Sequence, residues 1–130
     1  MYEIDKLGDK MNNVFKLDYL LVTLNVYINA ERRNRFLASK IKKENTMIVC
    51  NEAISQKIKI NKEKQHDVFI TVSTKNKRID SDNLMFMLKF ILDGFVKAEV
   101  LVDDNYKHIR NLYFYREIGK DSIEVTLKEL

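Results

Sequence analysis

The chain has 130 residues, which is the size of one ordinary domain and leaves no room for a second. With 45% hydrophobic and 32% charged residues it can bury a core, so we expect residues 1–130 to fold as a single domain. The one cysteine, Cys50, excludes an internal disulfide and argues against a cysteine-ligated zinc site. The sequence shows neither an apolar leader nor an apolar run of membrane-spanning length, which predicts a protein of the cell interior that does not enter a membrane.

The basic residues are concentrated in one part of the sequence. The formal net charge is +4, but the stretch from Arg32 to Arg78 holds 13 Lys and Arg against four Asp and Glu. A basic surface beside a group of acids suits a polyanionic substrate held at a metal site. A solvated lysine-rich surface would give the same balance, so the charge alone leaves both interpretations open.

The first half of the chain predicts a strand, a helical region and a second strand. Tyr19 to Ile28 is rich in β-branched and aromatic residues, with apolar side chains at every second position, which favours a strand. Residues 30–60 carry Ala, Lys, Arg and Glu around spaced apolar positions, which favours one or two helices with a break near Asn45. Asp67 to Ser73 alternates again and predicts the second strand.

The second half predicts a buried helix followed by strands. Leu84 to Lys97 is apolar almost all round except for one stripe of three charged side chains, and a helix of this kind is normally buried. Three strands are predicted after it, the last two as a hairpin: Glu99 to Val102, Ile109 to Arg116 and Ser122 to Leu127. With the short segment Glu99 to Val102 left out of the coarse order, the prediction is β-α-β-α-β-β, an α+β domain with a mixed sheet and a buried central helix.

Four aspartates are the candidates for chemistry. Asp80 and Asp82 stand two positions apart, so on an extended segment both carboxylates point the same way, about 7 Å apart along the backbone. Mg²⁺ prefers oxygen ligands, and Asp103 with Asp104 could complete a cluster. Each pair also has an ordinary structural interpretation, since Asp before an apolar helix is a common N-cap and two Asp after a strand are common in turns.

Lys89 is the odd residue of the predicted buried helix. Its charge costs stability unless the ammonium group reaches an anion or water, so it could face the same site as Asp82. Snorkelling to solvent, or a pair with Asp93 one turn further on, explains it equally well. Other chemistries lack support, because there are only two histidines, no nucleophile signature and no glycine-rich phosphate loop.

The motifs of the second half resemble those of the RusA family of Holliday junction resolvases. KRIDSDN is similar to the family's Asp-x-Asp-Asn at the start of a helix, Lys89 and Asp93-Gly94 to a lysine and an Asp followed by Ala or Gly, and VLVDD to its later Asp-Asp. The resemblance covers roughly Lys77 to Glu129. The chain holds about three more residues between Asn83 and Lys89 than the usual pattern, close to one helical turn. Without that insertion Phe86 would occupy the position of the lysine.

The resemblance implies a set of roles for residues of this chain. Asp80, Asp82 and Asp104 would be catalytic metal ligands for Mg²⁺ or Mn²⁺, Asp103 a supporting acid of the metal site, and Lys89 the essential lysine. It also implies a homodimer that nicks a four-way DNA junction symmetrically, in the cytoplasm of a bacterial cell and often encoded by a phage or prophage. Phosphate contacts are expected from seven basic residues: Arg32, Arg33, Arg35, Lys75, Lys77, Arg78 and Arg116.

Two other functions stay open. One is a DNA-binding protein of the same fold that has lost catalysis and has a regulatory or structural role, which the displaced lysine favours. The other is a metal-dependent nuclease without junction preference. The run Tyr113 to Arg116 could stack on bases, although a half-buried strand uses the same residues.

Overall fold

One mixed sheet with helices over one of its faces forms the fold, and the computed structural model describes residue Ile4 and residues 10–130. The strands lie in the order β1-β4-β2-β3, with β1 and β2 antiparallel to β4, and β3 parallel to β2. Their bounds are β1 Val14–Leu17, β2 His66–Thr74, β3 Ile109–Ile118 and β4 Ser122–Glu129. The helices are α1 Leu24–Arg33, α2 Arg35–Ser55, α3 Ser81–Met85 and α4 Met87–Lys97. The predicted α+β class and the mixed sheet are confirmed. The described elements follow the order β-α-α-β-α-α-β-β, in which the first strand is β1 rather than the predicted Tyr19 to Ile28.

Strand β2 is the centre of the sheet and its alternation defines the core. Val68, Ile70 and Val72 are fully buried, while Phe69 and Thr71 between them are partly exposed. Successive side chains of a strand point to opposite faces, so one face of the sheet lies under the helices and the other is open to solvent. The predicted strand Asp67 to Ser73 is confirmed.

Helix α4 supplies the other half of the core, as its apolar sequence predicts. Seven of its eleven residues are buried, and Phe95 meets Phe15 of β1 edge to face at 5.1 Å between ring centroids. Gly94 lies so close to α2 that a Cβ there would stand 2.5 Å from the Cβ of Val49. The predicted helix Leu84 to Lys97 is thus confirmed, although it is divided at Phe86 into α3 and α4.

The strand predicted for Tyr19 to Ile28 is wrong, because the chain forms α1 from Leu24 onward. Its apolar residues satisfy helical spacing as well as period two, an ambiguity expected of short apolar runs. Packing decides the outcome, since the ring of Tyr27 contacts Phe86 at 5.1 Å, whereas Val26, the residue that period two would bury, is 51% exposed. Strand propensity is weak enough for such contacts to override it.

The break predicted near Asn45 is also wrong, because α2 runs unbroken for 21 residues. The side chain of Asn45 is buried, but both ends of its amide are satisfied. Its Nδ2 donates to the carbonyl of Ile41 one turn earlier, and its Oδ1 accepts from the backbone N–H of Val22. A buried amide with such partners costs little, so the helix continues through it.

The strand predicted for Glu99 to Val102 and the terminal hairpin are not formed. Glu99 instead adopts a left-handed conformation (φ 62°) as α4 ends, and Val100 N–H returns to the carbonyl of Phe95. β3 and β4 do not pair with each other, because β2 lies between them. Their connection crosses the end of β2, where Gly119 N–H donates to the carbonyl of Thr74. Alternation identifies strands but not their neighbours.

In the part of the chain that the structure describes, no helix has both the length and the apolar character needed to cross a bilayer.

An ion pair between the buried carboxylate of Asp67 and the exposed Arg110 ties β2 to β3 and predicts acid sensitivity. Arg110 holds the carboxylate of Asp67 through Nε at 3.1 Å and Nη2 at 2.7 Å, and Asn111 N–H adds a bond at 3.1 Å. The Arg110 guanidinium, aided by that N–H, lowers the pKa of Asp67 below its ordinary value. The folded state therefore binds fewer protons than the unfolded one, so stability falls as the pH drops below about 3.9 toward the lowered pKa.

We expect Asp67→Asn to weaken this acid dependence while lowering stability at neutral pH. Urea midpoints at pH 7 and pH 3 measure both effects, with Asp18→Asn, an exposed acid of the β1–α1 connection, as the matched control. Equal acid dependence in Asp67→Asn and the unaltered chain would contradict the assignment.

Candidate functional site

The loop of residues 75–80, which leads from β2 to α3, is held in place by side chains of distant segments. Arg116 of β3 donates through Nη1 to the carbonyl of Ile79, and through Nη2 to the carbonyl of Asn76 at 3.0 Å and to Thr74 Oγ1 at 3.3 Å. The carboxylate of Asp121 accepts from Lys75 N–H at 2.9 Å. The loop is therefore anchored at both of its ends by the β3–β4 region.

Asp80 and Asp82 stand at the end of this anchored loop, and both are exposed. Asp80 occupies the N-cap position of α3 with an extended backbone (φ −67°, ψ 146°), but its side chain makes no cap hydrogen bond. Asp82 Oδ1 accepts only from the N–H of Asn83, its neighbour, at 2.9 Å. Asp80 thus occupies the predicted N-cap position but does not make the capping hydrogen bond. Its carboxylate is therefore available to bind a ligand.

Asn83 joins this loop to α1. Its Oδ1 accepts from the backbone N–H of Asn25 at 2.8 Å, across 58 positions of sequence. No spacing rule links the two residues, so this contact could not be predicted from the sequence. It fixes the start of α1 beside the aspartates.

Asp103 and Asp104 lie in the exposed loop that precedes β3. Both carboxylate oxygens of Asp103 are used locally, by Asp104 N–H at 2.7 Å and by Asn105 Nδ2 at 3.2 Å. The turn interpretation therefore accounts for Asp103. Asp104 is exposed, and its carboxylate is not part of these turn bonds.

The two pairs of aspartates lie at opposite ends of the sheet. β2 and β3 are parallel and pair from His66 beside Ile109 to Thr74 beside Ile118, with one register shift between His66 and Val68, over a span of roughly 26 Å. Asp80 and Asp82 follow the end of β2, while Asp103 and Asp104 precede the start of β3. Accordingly, within residue 4 and residues 10–130, no three His, Cys, Asp or Glu side chains form a metal-binding group. One chain does not assemble the expected four-acid cluster.

Lys89 pairs with Asp93 on the surface of α4. The Nζ to Oδ2 distance is 3.7 Å and the lysine side chain is half exposed, so the helix-pair interpretation describes it. In the described chain it makes neither an ion pair nor a hydrogen bond with Asp80 or Asp82. Phe86, the alternative for that position, packs against Tyr27 and Phe90.

The basic residues expected to bind phosphate fall into three groups. Three exposed ones share the loop with Asp80: Lys75, Lys77 and Arg78. Three more are exposed around the junction of α1 and α2, where Asn34 ends one helix and caps the next: Arg32, Arg33 and Arg35. Arg116 differs from both groups because its guanidinium is occupied by the loop.

A cleft of about 720 Å³ lies elsewhere and includes neither pair of aspartates. The ends of α2 and α4 contribute to it, with Lys57, Lys62 and Glu99 among its lining residues. Helix C-termini carry partial negative charge, so the charge of Lys57, next to the end of α2, suits that position.

No protein-family model matches the chain, and no curated protein is significantly similar to it.

Proposed function

We propose that the chain is a metal-dependent endodeoxyribonuclease of the RusA type that cuts four-way DNA junctions. The observation that carries the proposal is the anchored loop of residues 75–80, which presents three exposed cations next to the exposed carboxylates of Asp80 and Asp82. Cations hold a phosphodiester, and adjacent carboxylates hold the metal that acts on it. The RusA resemblance rests on residues of the same loop and of the helix after it.

Asp80 and Asp82 would hold Mg²⁺ or Mn²⁺, with Asp104 as the third carboxylate. Their donor set fits a hard cation, because the Asp80 carboxylate makes no cap bond and Asp82 makes a single local one. Such a cation, when bound, polarises a phosphate and supplies an activated water.

The chain's own basic residues would bind and orient the junction. Lys75, Lys77 and Arg78 lie next to the acids, and the start of α1 is bonded to Asn83, so the arginines at its far end lie about 11 Å along the helix. A substrate gripped through phosphates is bound less tightly as salt rises, because counterions are released on binding. The enzyme would act as a homodimer in the bacterial cytoplasm.

A DNA-binding protein without catalysis is the second candidate, and one specific observation favours it. Lys89, the proposed essential lysine, is paired with Asp93 rather than directed at Asp80 or Asp82. A nuclease without junction preference is the third, and it would cut linear duplex as readily as a junction.

Cleavage of a labelled four-way junction with Mg²⁺ or Mn²⁺ tests the proposal. We expect paired symmetric nicks from the unaltered chain, and loss of nicking with junction binding retained in Asp82→Asn and Asp80→Asn. Asp18→Asn, an exposed acid away from the loop, should cut normally. Binding without cutting by the unaltered chain would favour the inactive protein, and equal cutting of linear duplex would favour the general nuclease. If Asp80→Asn cuts as well as the unaltered chain, the site is wrong.

A further inference from the structure

The two edges of the sheet differ in how they are closed. At the β1 edge, the side-chain amide of Gln56 bonds both backbone groups of Lys16, accepting from its N–H at 3.0 Å and donating to its carbonyl at 2.7 Å. The amide thus takes the place of a neighbouring strand. β1 is also only four residues long. This edge offers little to a further strand.

The β3 edge is long and open. β3 has ten residues and pairs only with β2 in the described chain. Edge strands are usually protected from pairing by Pro, by free Lys or by bulges. β3 has neither Pro nor Lys, Arg110 is bound to Asp67, and Arg116 is bound to the loop. Its one bulge lies near its start, between Ile109 and Leu112, and the strand pairs regularly with β2 from Leu112 to Ile118.

Apolar side chains are exposed on both faces of this edge. Leu112 and Ile118 are 50% and 53% exposed on the helix side, beyond the cover of the helices. Tyr113 and Tyr115 are exposed on the open face, where Tyr113 stacks on Phe69 at 4.6 Å. Exposed apolar residues that line an unpaired edge are a strand-addition surface.

A second copy of β3 is self-complementary with the first in an antiparallel register. When a twofold axis perpendicular to the sheet relates the two strands, residues that lie opposite each other point to the same face of the sheet. One possible position of this axis is beside Phe114, which then lies opposite the partner's Phe114. Tyr113 then faces the partner's Tyr115, and Asn111 faces the partner's Glu117, an amide beside a carboxylate. Moving the axis to Tyr113 would instead set Arg110 against the partner's Arg116. Charge therefore favours the first register.

This pairing would bring the separated aspartates together. Arg116 anchors the loop of Asp80 beside the end of β3, and in the register through Phe114 that end faces the start of the partner's β3. The partner's Asp104 lies in the loop just before that start. The dimer would thus bring the Asp80 loop of each chain close to the Asp104 loop of the other chain.

We propose that two copies pair antiparallel through β3 and that each metal site combines Asp80 and Asp82 of one chain with the partner's Asp104. The composite site rests on the proposed function, whereas the pairing of the edges rests on the sheet alone. The proposal thereby defines the interface of the dimer, and it explains why the nuclease would need two chains to form each metal site.

Sedimentation of the full chain tests the interface without reference to activity. We expect a species of twice 15.4 kDa, and monomers for Leu112→Lys and Tyr115→Lys, which place a charge on either face of the edge. Both residues are half exposed in the monomer, so each variant should keep the circular dichroism of the folded chain. Ile54→Lys, 60% exposed on α2, is the matched control and should remain a dimer. A monomeric unaltered chain, or dimers in both edge variants, would overturn the interface.

Mixing two inactive variants tests the composite site. Asp80→Asn and Asp104→Asn alone should not nick junctions, but after unfolding and refolding together about a quarter of the sites should be intact, since each mixed dimer holds one intact site. That site should give single nicks rather than paired ones. Recovery of Mn²⁺ binding in the same mixture, followed by titration calorimetry, provides a readout independent of cleavage.

The outcomes separate the two proposals. Mixed variants that recover neither nicking nor Mn²⁺ binding, while the unaltered chain shows both, would place the site within one chain and overturn the inference. If the unaltered dimer binds Mn²⁺ but never cuts DNA, the proposed nuclease function is wrong, while the metal site shared between two chains remains supported.

Discussion

Gly94→Ala is expected to lower the free energy of unfolding by about 2 kcal/mol, although alanine is the better helix former. The gain in helix propensity is about 1 kcal/mol, but overpacking of a close contact costs up to about 3 kcal/mol. A Cβ at position 94 would stand 2.5 Å from both Cβ and Cγ1 of Val49 and 3.0 Å from the carbonyl of Thr46. α4 and α2 must therefore move apart, which loosens contacts along both helices. Urea denaturation followed by circular dichroism measures the loss.

Val49→Ala provides the matched test, because it removes Cγ1, one of the two Val49 atoms that the new methyl group would meet, while the contact with Cβ remains. Alone it should destabilise the chain by leaving a cavity, while the double variant with Gly94→Ala should be more stable than the two separate losses predict. If Gly94→Ala is as stable as the unaltered chain, the helices are not packed as closely as described.

Arg116→Lys is expected to reduce junction cleavage about a hundredfold, which is the cost of a displacement near 1 Å in a catalytic group. Its guanidinium bonds three groups of the loop, whereas an ammonium group cannot span them with the same geometry. Arg116 is thus a positioning residue within the proposed function, and junction affinity and its dependence on salt should change little. Cleavage rates at saturating protein, with binding at several salt concentrations, measure the two effects separately.

Lys77→Gln is the control for that experiment, because Lys77 is exposed on the same loop and is expected to contact phosphate. It should weaken binding and lower the slope of affinity against salt by about one unit. Trypsin should also cut the loop faster in Arg116→Lys, whether or not the chain is a nuclease. An Arg116→Lys variant with weaker, less salt-dependent binding, normal maximal cleavage and an unchanged trypsin rate would show that Arg116 contacts DNA instead.

The elements that are predicted best from the sequence are those whose side-chain pattern fits only one kind of secondary structure. β2 alternates cleanly and α4 is too apolar to lie anywhere but the core, and both are found as predicted. Tyr19 to Ile28 fits two periods at once, and only the contact of Tyr27 with Phe86 decides between them. The place of β2 between β3 and β4 depends on long-range pairing, which local alternation does not encode.

The candidate site divides in the same way. Asp80 and Asp82 stand at the start of a helix that follows a basic stretch, and this position is predicted from the sequence. Arg116 was predicted to contact DNA, because the pattern gives its charge and not its partners, which lie 37 to 42 positions away. The distance between Asp80 and Asp104 follows from the parallel pairing of β2 and β3, a property of the whole fold.

Gln56 would stop the proposed assembly at two copies, because its side-chain amide blocks the β1 edge of the sheet. If two sheets join through β3, the eight-stranded sheet has a β1 strand at each margin, and in both copies the Gln56 amide occupies the backbone groups of Lys16. Pairing with one copy uses the open edge of the sheet formed by residues 10–130 and exposes no new one. A chain with an open ten-residue edge can therefore stop at two copies, whereas an unprotected β1 edge would have let strand addition continue into fibres.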